Sequence, residues 1–195
     1  MGVLLGKKKD VGVGTAVQLR EGGRHPFGVL DGYVPLRNGE IALYRSIREA
    51  VPIVDAALRK LVRLAGGVQV LCRDKSAQEG LDWFLQHVNT GRGQRGIQSF
   101  LDCYLDSMLT CGRAVGEIVP DRRGRDIAAL LCGNPADIEI REGDSPLDFV
   151  IWGRDAVGGL RELPRQELLL FTPFQPEVGS PYGGRLLHSM SLVTE

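Results

Sequence analysis

From Ile41 to Leu109 apolar residues recur every three or four positions. From Arg113 onward that period gives way to short apolar runs separated by turn residues. A period near 3.6 belongs to a helix with one buried stripe, and alternation belongs to a half-buried strand. Helices and strands kept in separate blocks predict an α+β fold. The expected order is a helical N-terminal part, a mostly antiparallel strand block and a final helix.

The first stripe is Ile41, Tyr44, Ile47, Val51, Val54, Leu58, Leu61 and Ala65, with Pro52 inside it. Proline lacks an N–H and is best tolerated in a first helical turn, so it predicts a kink or a second helix opening there. Gly66-Gly67 ends the stripe, and Val68 to Cys72 reads as a short strand. Leu81, Phe84, Leu85 and Val88 mark a helix over 76–88. Ile97, Phe100, Leu101, Tyr104, Leu105, Met108 and Leu109 mark another, ended by Gly112. Thr90 to Gly96, between these helices, reads as a flexible glycine-rich loop.

Strands are expected over 113–120 and 126–131, joined into a hairpin by Asp121-Arg122-Arg123-Gly124. Three more are expected over 137–141, 147–152 and 167–171. A last helix is expected from near Gly184, with Leu186, Leu187, Met190 and Val193 as an apolar stripe left exposed. Residues 1–38 hold many glycines, Pro26, Pro35 and the Lys7-Lys8-Lys9 run. Such a segment buries too little apolar surface to offset its ordering entropy, which predicts a flexible arm. The domain organisation read here is therefore an arm over 1–38 and one α+β domain over 39–195.

Charge narrows the functional classes. Lys+Arg and Asp+Glu both number 24, giving zero net charge. A tight reader of nucleic-acid sequence carries a basic excess, so any DNA contact is expected to be loose. Arg92, Arg95, Arg122, Arg123 and Arg125, all in expected loops, are the candidates for phosphate or subunit contact. No run is long enough for a membrane span. The N-terminal apolar stretch is too short for a signal peptide, which makes the cytoplasm the default compartment.

Catalytic and metal chemistry finds little support. Gly12-Val13-Gly14-Thr15 and the Gly91 to Gly96 loop fit neither a P-loop nor a dinucleotide fingerprint. His25, His87 and His188 are far apart, and Cys72, Cys103, Cys111 and Cys132 lack ligand spacing, so no metal or cofactor is expected. The cysteines read as small buried hydrophobes, with Cys72 and Cys132 in apolar strands. Asp102 and Asp106 share a helix face that reads as solvated. A thiol-dependent hydrolase built on Cys103 or Cys111 with His87 stays open, without a local signature behind it. An interaction module or a prophage remnant without present function stays open as well.

Several patches, in their order and spacing, resemble the portal proteins of tailed bacteriophages. Tyr44 to Val54, with Pro52 inside, looks like that family's early helix. Phe100 to Glu117, a helix ended by Gly112 and followed by a strand with Ala114 and Glu117, is similar to its helix-to-strand step. Asp121 to Gly124 matches its polar hairpin, and Ala129-Leu130 with Asn134 to Ile138 its following segment. Ser180-Pro181-Tyr182-Gly183 resembles its proline–tyrosine–glycine signature, although Gly184 and Arg185 follow where serine is usual.

The resemblance spans about residues 40–195 and implies the wing region of a portal subunit, whose stem, clip and crown would lie beyond Glu195. It implies a structural protein of the virion, found in the host cytoplasm during assembly, and not an enzyme. Such subunits form a ring, usually of twelve, at one capsid vertex, and serve capsid assembly, DNA packaging and genome ejection. Terminase, capsid proteins and non-specific double-stranded DNA are the implied partners, with no membrane. Head-to-tail closure needs two unlike surfaces on each subunit. Tyr44, Ile47, Val51, Val54 and Leu58 are the expected residues of one of them, with the arm beside them. Pro181, Tyr182 and Gly183 are the signature residues.

Overall fold

A computed structural model describes residues 38–144, 148–154, 159–176, 183–184 and 186–187. The expected arm therefore lies outside the described residues, apart from Asn38, which opens the first helix. Pro181, Tyr182 and the body of the expected last helix also lie outside them. Helix α1 spans Asn38–Ala50, and α2 spans Pro52–Ala65 with Pro52 in its first turn. The proline does open a second helix, after a joint at Val51. That joint resets the helical phase, so Leu58 and Val62 turn inward while Leu61 and Ala65 are exposed.

Helix α3 spans Lys75–His87, capped by Asp74, whose carboxylate accepts from the Ser76 backbone N–H at 2.8 Å. The connection from α2 to α3 contains no strand, contrary to the reading of Val68 to Cys72. Val68, Val70 and Leu71 are apolar but exposed, and no sheet edge is there to pair with them. The stretch read as a flexible loop is a tight hairpin of β1, Asn89–Gly91, and β2, Gln94–Arg95.

Helix α4, Ile97–Cys111, ends on Gly112, whose φ of +74° lies in the left-handed region that favours glycine. The chain then enters β3, Arg113–Pro120, and returns as β4, Ile127–Cys132. Strands β5, Ile138–Glu142, β6, Phe149–Arg154, and β7, Leu160–Glu162, form a separate three-stranded sheet. Strand β8, Leu169–Pro173, goes back to pair with β3. The five-stranded sheet has the order β2-β1-β4-β3-β8. Its pairings are antiparallel except β1 with β4, which is parallel through Asn89 and Ala129. The fold class is thus α+β, with the strand block mostly antiparallel.

Helix α4 is the central element because it buries two faces. Phe100, Leu101 and Tyr104 pack on the sheet with Leu130, Ile118 and Leu170. Leu105 and Leu109 pack on the other side with Tyr44 and Ile47 of α1, Leu58 and Val62 of α2, and Leu187. The five side chains read as a subunit surface go here. Tyr44, Ile47 and Leu58 are buried, Val51 and Val54 half-buried, and α4 occupies the face a neighbour was expected to cover. Leu187, expected to be exposed, is buried in the same cluster, whereas Leu186 is exposed. The small sheet packs through Ile140 and Ile151 against Leu169 and Phe171 of β8. Among the described residues no helix is long and apolar enough to cross a membrane.

Candidate functional site

Arg48 joins three helices. Its Nη1 donates to both carboxylate oxygens of Asp106 on α4 at 2.8 Å and to Thr110 Oγ1 at 2.7 Å. Its Nη2 and Nε donate to Asp55 Oδ1 on α2 at 2.6 and 3.0 Å. Arg59 donates to the other Asp55 oxygen at 2.6 Å. These groups line an open cavity of about 690 Å³ between α1, α2 and α4. Arg48, Arg59, Asp55 and Asp106 are committed to one another, so this part of the cavity braces the helices. Asp102 accepts from Gln98 Nε2 at 2.7 Å, so Asp102 and Asp106 serve different partners.

The hydrogen bond from Arg48 first, and Arg59 second, hold the Asp55 carboxyl below the usual carboxylate range. A carboxyl with a depressed folded pKa stabilises the fold above its unfolded pKa, and that contribution is lost as pH falls through the folded value. Arg48→Met should therefore lower the urea midpoint most near pH 7 and less near pH 3, below the ordinary carboxylate value of about 4, where the contribution is already declining. Urea titrations of both proteins at the two pH values measure this. An equal gap at both would show that the charge pairing adds nothing.

The five candidate arginines divide into separate places. Arg122, Arg123 and Arg125 are exposed on the β3–β4 turn. Asp121 locks that turn, its Oδ1 accepting from the backbone N–H of Arg125 at 2.8 Å and of Asp126 at 3.3 Å. Arg92 lies at the β1–β2 tip with φ of +52°. Gly91 beside it lies against Leu131, near the far end of β4. At about 3.3 Å per residue, roughly 20 Å of strand separates Arg92 from the turn. Arg95 pairs with Asn89 in the β1–β2 hairpin, between the two ends. Of these five arginines, the sheet topology therefore places three in a turn at one end and Arg92 at the other.

The thiols are not uniformly buried as read. Cys111 is buried and Cys132 half-buried, whereas Cys72 and Cys103 are exposed. Cys72 lies in the connection after α2, not in a strand. His87 stacks on Trp83, with ring centroids 4.7 Å apart, and its Nδ1 lies 2.8 Å from the Trp83 carbonyl. The ionisable groups around Cys103 are Cys132, Asp106 and Arg92, and those around Cys111 are Arg45, Arg113, Asp106 and Arg48. His87 belongs to neither set, so the candidate thiol–imidazole pair is not assembled.

Two residues escaped the sequence reading. Arg48 falls off the apolar stripe of α1, where a charged residue is ordinarily solvated. Arg113, at the start of β3, is 1% exposed and donates through Nη2 to the Pro135 carbonyl at 2.6 Å. Its only sequence cue was its place directly after the helix-ending glycine.

No protein-family model matches the sequence, and no curated protein matches it. Solved structures do. A chain from the virion of a native gene transfer agent particle superposes with a TM-score of 0.65 at 13% identity. The match covers 82% of this chain and 42% of that one. A chain from the neck of an empty gene transfer agent particle, computed with C6 symmetry, gives 0.61 at 15% identity. That match covers 83% of this chain and 43% of the other. This chain has the fold of a virion component. It spans less than half the length of either of these two chains, and at these identities the likeness is one of fold.

Proposed function

We propose that this chain is part of a portal-type ring subunit: a structural component of a virion, through which double-stranded DNA is packaged and later ejected. The observation that carries the reading is the fold likeness, TM-score 0.65, to a virion chain over 82% of this one. The neck structure adds weight, because C6 symmetry is contained in a ring of twelve. The sequence patches that resemble portal proteins point the same way independently. Zero net charge suits a channel that DNA must traverse without being gripped.

In this reading the neighbouring copy covers a surface other than the one first expected. Ile53, Leu64 and Leu71 are 77%, 72% and 82% exposed, on α2 and the connection that follows it. Large apolar side chains grouped outside a core mark interaction surfaces. The outer side of α2 is thus one flank of the subunit contact. Arg122, Arg123 and Arg125 form a turn suited to phosphate or to an acidic neighbour, with Arg92 and Arg95 in supporting places. Terminase and capsid proteins are the other partners this role requires. The work of the chain is mechanical, and no residue is assigned a catalytic step.

The test uses the complete gene product. Purified particles should contain its peptides in ring proportion to the coat protein, and electron microscopy of the isolated protein should show closed rings. Replacing Leu64 and Leu71 together by glutamate should cut the ring fraction at least tenfold, since a charge buried in an apolar contact costs several kcal/mol. The thermal unfolding of the separated subunit should stay unchanged. Absence of the peptides from particles would overturn the reading, and unaffected rings would overturn the surface.

A further inference from the structure

Cys103 and Cys132 belong to different elements, α4 and β4, and lie 29 positions apart in sequence. The fold brings them together. Leu130 and Cys132 share one side of β4, since strand side chains alternate with period two. Both pack on the α4 cluster of Phe100, Leu101 and Tyr104. The Cys132 thiol donates to the Phe100 carbonyl at 3.5 Å, one helical turn before Cys103. The Cys103 side chain, three positions on along that helix, is near enough to act on it electrostatically. Both cysteines line an open cavity shared with Arg45 and Arg92, and Cys103 is exposed to reagents.

We propose that Cys103 and Cys132 are a redox-active dithiol, closed to an intrachain disulfide by reaction with a small-molecule disulfide, which fastens α4 to the centre of the sheet. With Cys132 Sγ 3.5 Å from a carbonyl one turn before Cys103, and both residues lining one cavity, side-chain rotation can bring the two sulfurs to the ~2.05 Å S–S bond. Their roles differ. The neighbouring Cys132 thiol first, aided by the positive charge of Arg92, brings the Cys103 thiol down to about 7 against the opposing effects of burial and Asp106. The neighbouring Cys103 first, and then burial, push the Cys132 thiol up. Cys103 is therefore the attacking thiolate and Cys132 the resolving thiol.

The Cys103 thiolate attacks one sulfur of the reagent disulfide, forms a mixed disulfide and expels one thiolate. Cys132 then gives up its proton and attacks Cys103 Sγ. The Cys103–Cys132 bond forms, and the second reagent thiolate leaves with that proton. Two cysteine thiols are oxidised and one reagent disulfide is reduced to two thiols, so the electrons balance. A chain folded in a reducing cell and carried out of it in a particle would meet both states. That setting rests on the proposed virion role, whereas the chemistry does not.

Oxidised glutathione is the probe. The reduced full chain is incubated with it, digested without reduction and mapped by mass spectrometry. The expected product is a Cys103–Cys132 linked peptide, lighter by two hydrogens, with a melting temperature raised by roughly 5–15 °C. Cys132→Ser should stop the reaction at a glutathione adduct on Cys103. Cys103→Ser should leave Cys132 unmodified. Cys111, buried and with its thiol pushed up by burial, should stay free throughout. Separate glutathione adducts on Cys103 and Cys132, or no reaction at Cys103 while exposed Cys72 reacts, would overturn the proposal. Neither outcome would bear on ring formation.

Discussion

Tyr44→Ala is expected to lower the unfolding free energy of the chain by about 3–5 kcal/mol, the range for deleting a large aromatic side chain from a core. Tyr44 is 1% exposed and lies where three helices meet, with Ile47 of α1, Leu58 and Val62 of α2 and Leu109 of α4 around it. Marginal stability of about 5–15 kcal/mol makes such a loss a large share of the whole. The prediction decides between two uses of one apolar stripe. If the stripe is interior, urea unfolding of the isolated subunit shifts strongly. If it were a surface kept for a neighbour, the subunit would unfold as before and only association would weaken. A shift below about 0.5 kcal/mol, the usual range for surface substitutions, would return Tyr44 to the interface.

The stripe itself was legible, and its destination was not. Periodicity states that one face of a helix is buried without naming what buries it. Here α4 does so, and α4 can because it carries apolar residues for two faces, Phe100, Leu101 and Tyr104 on one and Leu105 and Leu109 on the other. Local punctuation read well for the same reason that longer-range order did not. Pro52 opens α2, Gly112 ends α4, and the Asp121 turn closes a hairpin, each through a backbone constraint within a few residues. Val68 to Cys72 has strand-like composition, but β-propensity expresses packing on a sheet, and no strand lies beside it. The reverse holds for β1, three residues with glycine among them, which pairs with β4 some forty positions later and leaves no periodic trace.

The candidate site follows the same division. The arginines were identifiable as a residue type in turns, but their division between two ends of the sheet depends on the β1–β4 pairing. The node at Arg48 draws Asp55 from seven residues away and Asp106 from 58 residues away. The first separation exceeds a helix's i+4 neighbour rule, because Pro52 intervenes, and the second is set only by packing. Cys103 and Cys132 are alike in this respect: no spacing rule joins a mid-helix residue to the end of the second strand after it.

Gly183→Ala is expected to destabilise the chain about as much as Leu187→Ala, by about 2–5 kcal/mol, and the two losses should not add. Gly183 has φ of +68°, and a Cβ there would lie 2.3 Å from the Phe174 carbonyl oxygen and 2.9 Å from that of Gly112. Both neighbours are backbone and cannot rotate aside. The left-handed conformation alone costs a substituted residue about 1–2 kcal/mol. Phe174 N–H donates to the Gly112 carbonyl at 2.9 Å, and Gly184 N–H donates to the Phe174 carbonyl at 2.6 Å. The chain after β8 is thus tied to the corner where α4 becomes β3. Four residues beyond Gly183, Leu187 enters the Tyr44 cluster at 2% exposure. Alanine at 183 cannot keep this approach, so the segment should lift and withdraw Leu187 from the core. Once it has lifted, truncating Leu187 removes nothing further, and the double variant should fall well short of the summed losses. A full sum in urea unfolding would mean that the segment stays docked and that Gly183 acts only locally. The glycine of the proline–tyrosine–glycine patch would then lack the role given it here, which is to let two backbones meet so that one leucine can close the helical core.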